Sequence, residues 1–226
     1  MKEEFWLERW TSDRLGWHQE EYNAWLTKYW PRLDLNGSGA VFVPLCGKSL
    51  DMHWLRAQGH PVRGVEFVTA AIEDFFAEAS LDYDYVEDFF GGVPCYSHGD
   101  ADNPNYRIYR SDFFELSTPH LYRVVGTFDR GALVALPPGI REIYADHLQR
   151  IIPDHSEILL LTLEYDQQLV EGPPFCVTEE EVNALFAERC SVERLEEVET
   201  DRIPSHFPEH DISSATEGVY RIVKNE

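Results

Sequence analysis

The chain has few positively charged residues: 226 residues hold 19 Lys and Arg against 41 Asp and Glu, a formal net charge of −22 at pH 7. So acidic a surface repels phosphate backbones and anionic lipid headgroups, which argues against a nucleic-acid or membrane-surface partner. The longest strongly apolar run, at 158–163, is too short to span a bilayer. The first ten residues carry charge at five positions, unlike a secretory signal, so we expect a cytoplasmic protein.

Cysteine is also scarce and widely spaced, with no C-x-x-C pair. This spacing predicts free thiols in a reducing compartment, not a disulfide framework. His206 and His210 are four residues apart, but Pro208 between them disrupts the helix that two metal ligands at this spacing need. We therefore predict no metal site. The four cysteines are Cys46, Cys95, Cys176 and Cys190.

Apolar segments with strand periodicity alternate with segments of helical periodicity along most of the chain. This alternation predicts an α/β fold, with a mostly parallel seven-stranded sheet and helices on both faces. The last two strands have no helix between them and are expected to pair antiparallel at one edge. The segment 82–105, rich in Asp, Gly, Pro and Tyr, is predicted to be a surface loop with one short strand at most. The predicted strands are 40–45, 61–67, 106–109, 122–128, 157–164, 192–198 and 218–223.

The length suits one domain, and we expect a single domain over residues 1–226. Within it, residues 1–36 are predicted to form an aromatic helical extension and residues 37–226 a Rossmann-like core. Trp6 and Trp10 are four residues apart, which places them on one face of a helix. The aromatic density of the extension, together with its position before the core, favours a lid.

The turn after the first predicted strand is the most informative feature. It reads Pro44-Leu45-Cys46-Gly47, and Glu66 ends the second strand. A strand, tight turn, helix and second strand ending in a carboxylate form the layout of a nucleoside-binding unit, in which the acid accepts hydrogen bonds from a ribose diol. A diphosphate cradle needs several glycines, and this turn has only Gly47. The pattern therefore predicts a nucleoside without phosphates, and S-adenosylmethionine fits that description.

In α/β folds, ligands bind at the carboxyl ends of the parallel strands. Four of the predicted strands end in polar or conformationally special residues, so we expect a site along this rim of the sheet. The residues at these four ends are Leu45-Cys46-Gly47, Glu66, Asp112-Phe113 and Asp129-Arg130.

Several runs point to one family. They are VFVPLCGKSLDM at 41–52, GVE at 64–66 and FDRGALVA at 128–135, with further segments at 6–10, 17–19 and 172–175. Over nearly the whole chain these runs resemble thiopurine S-methyltransferases, particularly their bacterial branch. The resemblance implies a class I S-adenosylmethionine-dependent methyltransferase fold. It also implies an enzyme that methylates the sulfur of thiopurines or other aromatic and heterocyclic thiols, with selenium and tellurium compounds as further acceptors.

The resemblance implies roles position by position. Trp10 is expected near the methionine end of the cofactor, and Asp112 and Phe113 beside the adenine. His206 stands where the family commonly carries an arginine; because an imidazole is largely uncharged at neutral pH, we expect a weaker preference for anionic thiols. The predicted cofactor contacts are Trp6, Trp10, Leu45, Cys46, Gly47, Glu66, Asp112, Phe113 and Arg130. The predicted acceptor contacts are Trp17, His18, Arg130 and His206.

The chemistry of the expected reaction suits these residue types. A sulfonium cation is stabilised by an aromatic wall, which Trp6, Trp10 and Trp17 are predicted to form. A heterocyclic thiol is acidic enough to need no dedicated base, and Arg130 is predicted to favour and orient its thiolate. The expected partner is therefore a small-molecule thiol, and the family resemblance implies a monomer.

Alternatives remain open at this point. An acid after the second strand also suits the ribose of NAD, so an NAD-dependent oxidoreductase is one alternative, although the G-x-G-x-x-G motif is missing. A non-catalytic nucleoside-binding module is another. For single residues, Cys46 could be a nucleophile and not a backbone donor. Arg130 could pair structurally with Asp129 or Glu66.

Overall fold

The computed structural model describes residues 3–12, 16, 18–35, 39–200 and 215–225. Trp17 and His206, both predicted to contact the acceptor, lie outside these residues. The described chain contains six α-helices: α1 (Glu3–Thr11), α2 (Ala24–Tyr29), α3 (Asp51–Ala57), α4 (Thr69–Glu78), α5 (Pro138–Ile151) and α6 (Glu179–Phe186). It also contains nine strands: β1 (Ala40–Val43), β2 (Val62–Glu66), β3 (Asp84–Val86), β4 (Cys95–Gly99), β5 (Pro104–Arg110), β6 (Val124–Asp129), β7 (Glu157–Glu164), β8 (Cys190–Thr200) and β9 (Ala215–Lys224).

The described strands form one mixed sheet in the order β3-β4-β5-β2-β1-β6-β7-β9-β8. The five central strands, from β5 to β7, pair in parallel. The pairs at both edges are antiparallel, including β8 with β9 as predicted. The predicted α/β class is confirmed. However, the sheet has nine strands and not seven, and only its centre is parallel.

The two additional strands, β3 and β4, form an antiparallel pair in the segment predicted to be a loop. The polar and glycine-rich composition of this segment concealed a cluster of tyrosines. Tyr96 packs against Tyr83 and Tyr85, with ring centroids 5.2 Å and 4.8 Å apart. Such aromatic contacts between strands stabilise a sheet edge without a continuous apolar pattern.

Helices cover both faces of the sheet, as expected. On one face, α5 and α6 contribute Leu148 and Phe186 to a buried cluster. On the other face, α3 and α4 contribute Leu55 and Ile72 to a second cluster. No helix in the described part of the chain is long and apolar enough to cross a bilayer.

Because β1, β2 and β6 are parallel neighbours, their carboxyl ends lie along the same rim of the sheet. The turn after β1, the acid that ends β2 and the arginine after β6 are therefore brought together from distant parts of the sequence. This convergence positions the candidate site.

Candidate active site

A cavity of about 390 Å³ opens at the carboxyl ends of β1, β2 and β6. Its wall is formed by the turn after β1, by aromatic residues of α1 and by residues that follow β6. The predicted site residues found in this wall are Trp6, Trp10, His18, Leu45, Cys46, Gly47, Glu66 and Arg130.

The turn after β1 has an unusual backbone. Leu45 and Gly47 both adopt left-handed conformations, with φ of 45° and 49°. The left-handed backbone at position 47 favours glycine. A second reason for glycine is space, because a Cβ atom there would lie 3.1 Å from Cζ2 of Trp10. The absence of a side chain thus lets the Trp10 indole lie against the turn.

We expect Gly47→Ala to weaken binding of S-adenosylhomocysteine, the demethylated form of the predicted cofactor. The left-handed backbone penalises alanine by about 1–2 kcal/mol, and the added methyl group displaces Trp10. Titration calorimetry measures the affinity and thermal unfolding the stability. The control is Gly139→Ala in α5, where an added Cβ meets no atom within 4 Å. Unchanged affinity in Gly47→Ala would show that this turn does not contact the nucleoside.

Glu66 ends β2 and is only 6% exposed. Its Oε2 accepts a hydrogen bond from the Gly47 N–H at 3.1 Å, and its Oε1 accepts one from the Val68 N–H at 2.9 Å. Burial raises the pKa of this carboxyl, and the backbone N–H groups oppose the shift. The Phe67 N–H also interacts with this carboxylate, which has about four acceptor sites and so keeps capacity for a hydroxyl group from the cavity.

Arg130 lies in the cavity wall directly after β6. Its Nε is 3.7 Å from Oδ2 of Asp51, a residue only 2% exposed. Asp51 also accepts a hydrogen bond from the Asn23 N–H at 2.8 Å, which ties the start of α2 to this ion pair. Burial lowers the pKa of the Arg130 guanidinium, and the Asp51 charge opposes that shift. Among the described residues, Arg130 forms an ion pair with Asp51 and none with Asp129 or Glu66.

Asp129 has a different role from its neighbour. Its Oδ1 accepts hydrogen bonds from the N–H groups of Ala132 and Leu133, both at 3.1 Å. Its Oδ2 accepts one from the Tyr144 hydroxyl at 2.6 Å. The carboxylate is 1% exposed and holds the chain reversal after β6, which directs Arg130 toward the cavity wall.

Cys46 contributes to the wall but is a poor nucleophile. Its thiol is buried, and burial together with the charge of Glu66 raises its pKa well above the usual range. The Sγ atom occupies space left by Gly64, where a Cβ would lie 2.7 Å from it. The thiol therefore stays protonated at neutral pH, which a nucleophile should not. Cys46 is better explained as a residue that packs against β2.

Asp112 and Phe113 follow β5 at the same rim, but they are not among the residues that line the cavity. Asp112 is exposed and accepts a hydrogen bond from the Phe114 N–H at 3.0 Å. Phe113 is 2% exposed and packs on Phe42, with centroids 6.4 Å apart. The expectation that they lie beside an adenine stays a prediction.

A second cavity of about 430 Å³ shares Trp10 and Phe67 with the first. It is also lined by the chain from Val68 to Ala70 and by Arg110. Both cavities therefore border the same two residues, next to the carboxyl end of β2.

The far end of the first cavity contains two residues, Trp25 and Glu217, that were not predicted to belong to the site. Trp25 lines it and donates a hydrogen bond from Nε1 to Oε2 of Glu217 at 2.6 Å. Trp25 lies in the predicted helical extension, and Glu217 lies one residue outside the last predicted strand. The run GPPF at 172–175 carried a family signal, and its prolines belong to this wall. The apolar residues here are Phe128, Val134, Leu161, Pro173 and Pro174.

His18 also lines the cavity and is half-buried. Burial lowers the pKa of its imidazole, and the nearby charge of Lys48 lowers it further. Among the residues that the structure describes, no three His, Cys, Asp or Glu side chains are arranged to hold a metal ion.

Comparison with known proteins identifies the family. The family model of thiopurine S-methyltransferase matches residues 1–225. A thiopurine S-methyltransferase of Marinobacter nauticus is 40% identical over 227 residues, covering 99% of this chain and all of that protein. A probable thiopurine S-methyltransferase of Yarrowia lipolytica is 41% identical over 199 residues, covering 88% and 91% of the two chains.

Solved structures show the same fold at low identity. A didemethyltoxoflavin N1-methyltransferase of Burkholderia thailandensis, with S-adenosylhomocysteine bound, aligns with a TM-score of 0.61 at 16% identity over 99% of this chain and 87% of that chain. An S-adenosylmethionine-dependent methyltransferase from Methanosarcina mazei aligns with a TM-score of 0.62 at 12% identity, over 91% of this chain and all of that chain. These likenesses confirm the predicted methyltransferase fold.

Proposed function

The chain belongs to the thiopurine S-methyltransferase family, and we propose that it transfers a methyl group from S-adenosylmethionine to the sulfur of an aromatic or heterocyclic thiol such as a thiopurine. The observation that carries this proposal is a single cavity with two different ends. One end is formed by the turn after β1 and the buried Glu66, and the other by aromatic and apolar side chains. The NAD-dependent oxidoreductase and the non-catalytic module are not supported by the family match.

The residues at the first end fit this cofactor. Glu66 has acceptor capacity for a ribose hydroxyl group, and the turn after β1 places the Gly47 backbone and the Trp10 ring beside it. The second cavity, beyond Phe67, is where we place the adenine, with Asp112 and Phe113 near it. The turn has one glycine and no diphosphate cradle, which favours a nucleoside without phosphates. S-Adenosylmethionine supplies an electrophilic methyl group on a sulfonium cation.

Trp6 and Trp10 are proposed to face that cation, because an aromatic ring attracts positive charge over its face. The apolar wall of the far end excludes water from the reacting sulfur, and its close fit restricts the acceptor to productive orientations. Arg130, held by Asp51, places a positive charge in the wall and so favours the thiolate form of the acceptor. No side chain is assigned as a base at the sulfur.

Residues 1–36 are proposed to act as a lid on the core formed by residues 37–226, within a single domain. The support is that Trp6 and Trp10 of α1 line the cavity and that Trp10 lies against Gly47. We expect S-adenosylhomocysteine to slow amide hydrogen exchange in 3–12 and 18–35. Exchange that is unchanged there, while the turn at 44–47 becomes protected, would contradict a lid.

The acceptor side is proposed to include Trp17, His18 and His206 in addition to Arg130, with selenium and tellurium compounds as further acceptors. We also propose a cytoplasmic monomer without a nucleic-acid partner. The net charge of −22 and the four free cysteines support this environment.

The direct test is methyl transfer by the purified protein from methyl-labelled S-adenosylmethionine. We expect labelled thioethers from 6-mercaptopurine and from thiophenol, and slower or no transfer to phenol, whose oxygen is a harder nucleophile. Binding of S-adenosylhomocysteine without transfer to either thiol would contradict the proposed acceptor class.

A further inference from the structure

Glu217 is an acidic residue that lies between the buried Ala215 and Val219 on one face of β9. Along β9, the side chains at 217 and 219 point to the same face, and Val219 is 0% exposed. Glu217 pairs in register with Leu163 of β7, and both residues line the far end of the first cavity. A carboxylate in such a place costs free energy unless it has hydrogen-bond partners, so its presence calls for a physical account.

One oxygen of this carboxylate is held by Trp25. The indole Nε1 donates to Oε2 at 2.6 Å, and the ring of Trp25 is itself stacked on Tyr29, with centroids 6.2 Å apart. The Trp25 N–H donates to Oδ1 of Asn23 at 2.9 Å, which fixes the start of α2. The direction of the carboxylate is thus determined by a rigid donor. Its Oε1 forms no hydrogen bond with any described residue, so this oxygen can accept a hydrogen bond from a ligand in the cavity.

The charge of Glu217 is not neutralised by the cations of the cavity wall. Nζ of Lys48 lies 2.5 Å from Oε1 of Glu78, and Arg130 is paired with Asp51. In the described part of the chain, no lysine, arginine or histidine forms an ion pair with Glu217. At the end of the cavity where the methyl acceptor is proposed to bind, Glu217 therefore presents one oriented hydrogen-bond acceptor and one negative charge. Such a group favours ligands that carry a hydrogen-bond donor and disfavours ligands that carry a carboxylate.

We propose that Glu217 determines acceptor specificity by accepting a hydrogen bond from a ring N–H group of the acceptor. This inference rests on the proposed function and narrows its substrate class to heterocyclic thiols that keep a ring N–H when the sulfur is ionised, as the imidazole ring of a thiopurine does. Thiophenols lack this donor, and carboxylated thiophenols place a second negative charge beside Glu217. A site that presents an oriented hydrogen-bond acceptor discriminates against a ligand that leaves that acceptor unpaired.

The test compares the wild type with Glu217→Gln. The glutamine side chain keeps an oxygen that can accept the hydrogen bond from the Trp25 indole Nε1–H, and the substitution removes the negative charge. The acceptors are 6-mercaptopurine, thiophenol and 2-mercaptobenzoate. We expect kcat/KM for 6-mercaptopurine to fall about 10- to 100-fold, the range expected for a hydrogen bond to a charged group. The value for thiophenol should not change, and that for 2-mercaptobenzoate should rise. The dissociation constant of S-adenosylhomocysteine, measured by calorimetry, should also stay at its wild-type value.

The control is Glu193→Gln on β8, which removes an exposed carboxylate that does not line the cavity, and it should leave all these values unchanged. An equal loss with all three acceptors would overturn the proposal. Weaker S-adenosylhomocysteine binding in Glu217→Gln would also overturn it, since the carboxylate would then serve the cofactor. If the wild type binds S-adenosylhomocysteine and methylates none of the three acceptors, the proposed function fails, and this inference fails with it.

Discussion

Replacing Glu181 with alanine is expected to destabilise the protein by about 3–5 kcal/mol, because it leaves the charge of Arg141 buried without its partner. Arg141 is 1% exposed, and its Nη1 lies 2.7 Å from both carboxylate oxygens of Glu181. Its Nη2 has no hydrogen bond to the described residues and is buried, so no neighbour there takes over the charge. Chemical denaturation measures the free energy of unfolding.

Glu180→Ala provides a matched control, since it removes the same charge from the same helical turn at an exposed position. We expect it to change stability by less than about 0.5 kcal/mol. A loss in Glu181→Ala as small as in the control would show that Arg141 does not depend on this carboxylate.

The ion pair of Arg141 with Glu181 also supports the wall of the first cavity. The Arg141 Nε donates to the Leu136 carbonyl at 2.8 Å, next to the turn that carries Val134. The guanidinium lies 5.8 Å from the centroid of Phe175, which follows the prolines of the cavity wall. Two parts of the acceptor wall thus pack on one buried cation. Loss of the pair is expected to loosen this wall as well as the fold.

Replacing Glu66 with alanine is expected to weaken binding of S-adenosylhomocysteine by about 1–3 kcal/mol through lost hydrogen bonds to the ribose. This corresponds to an affinity about 5- to 150-fold lower. The change also removes the acceptor of the Gly47 N–H, so the turn after β1 loses a fixed point. Titration calorimetry gives the affinity directly.

Glu73→Ala on α4 controls for the loss of one negative charge, because Glu73 is exposed. Its affinity should equal that of the wild type. An unchanged affinity in Glu66→Ala would remove this carboxylate from the proposed nucleoside site.

The seven strands expected from the sequence are all present. The central ones carry runs of buried apolar side chains, whereas β8 is mostly exposed and pairs along β9. The hairpin of β3 and β4 was missed because its stability depends on tyrosines that meet only across strands. Thr178 and Glu181 had the spacing of a reciprocal helix cap. Only half of it forms: Oγ1 of Thr178 accepts from the Glu181 N–H at 3.2 Å, and the Glu181 carboxylate binds Arg141 instead. The ion pair of Glu181 with Arg141, which are distant in sequence, thus replaces the second hydrogen bond of the local helix cap.

The same distinction applies to the site. Residues adjacent to strand ends, such as Gly47 and Glu66, could be predicted because the α/β topology dictates where those ends meet. The ion pair of Arg130 with Asp51 could not, since it joins residues 79 positions apart whose proximity follows from packing. Glu217 was likewise invisible, because its contact with Trp25 spans 192 positions.

Whether the cavity binds a nucleoside without phosphates is tested most directly by two calorimetric titrations of the wild-type protein, one with S-adenosylhomocysteine and one with NAD. A nucleoside pocket without a diphosphate cradle predicts saturable one-to-one binding of S-adenosylhomocysteine and no binding of NAD. Binding of NAD with no heat from S-adenosylhomocysteine would contradict the account, because the turn after β1 would then accommodate phosphates.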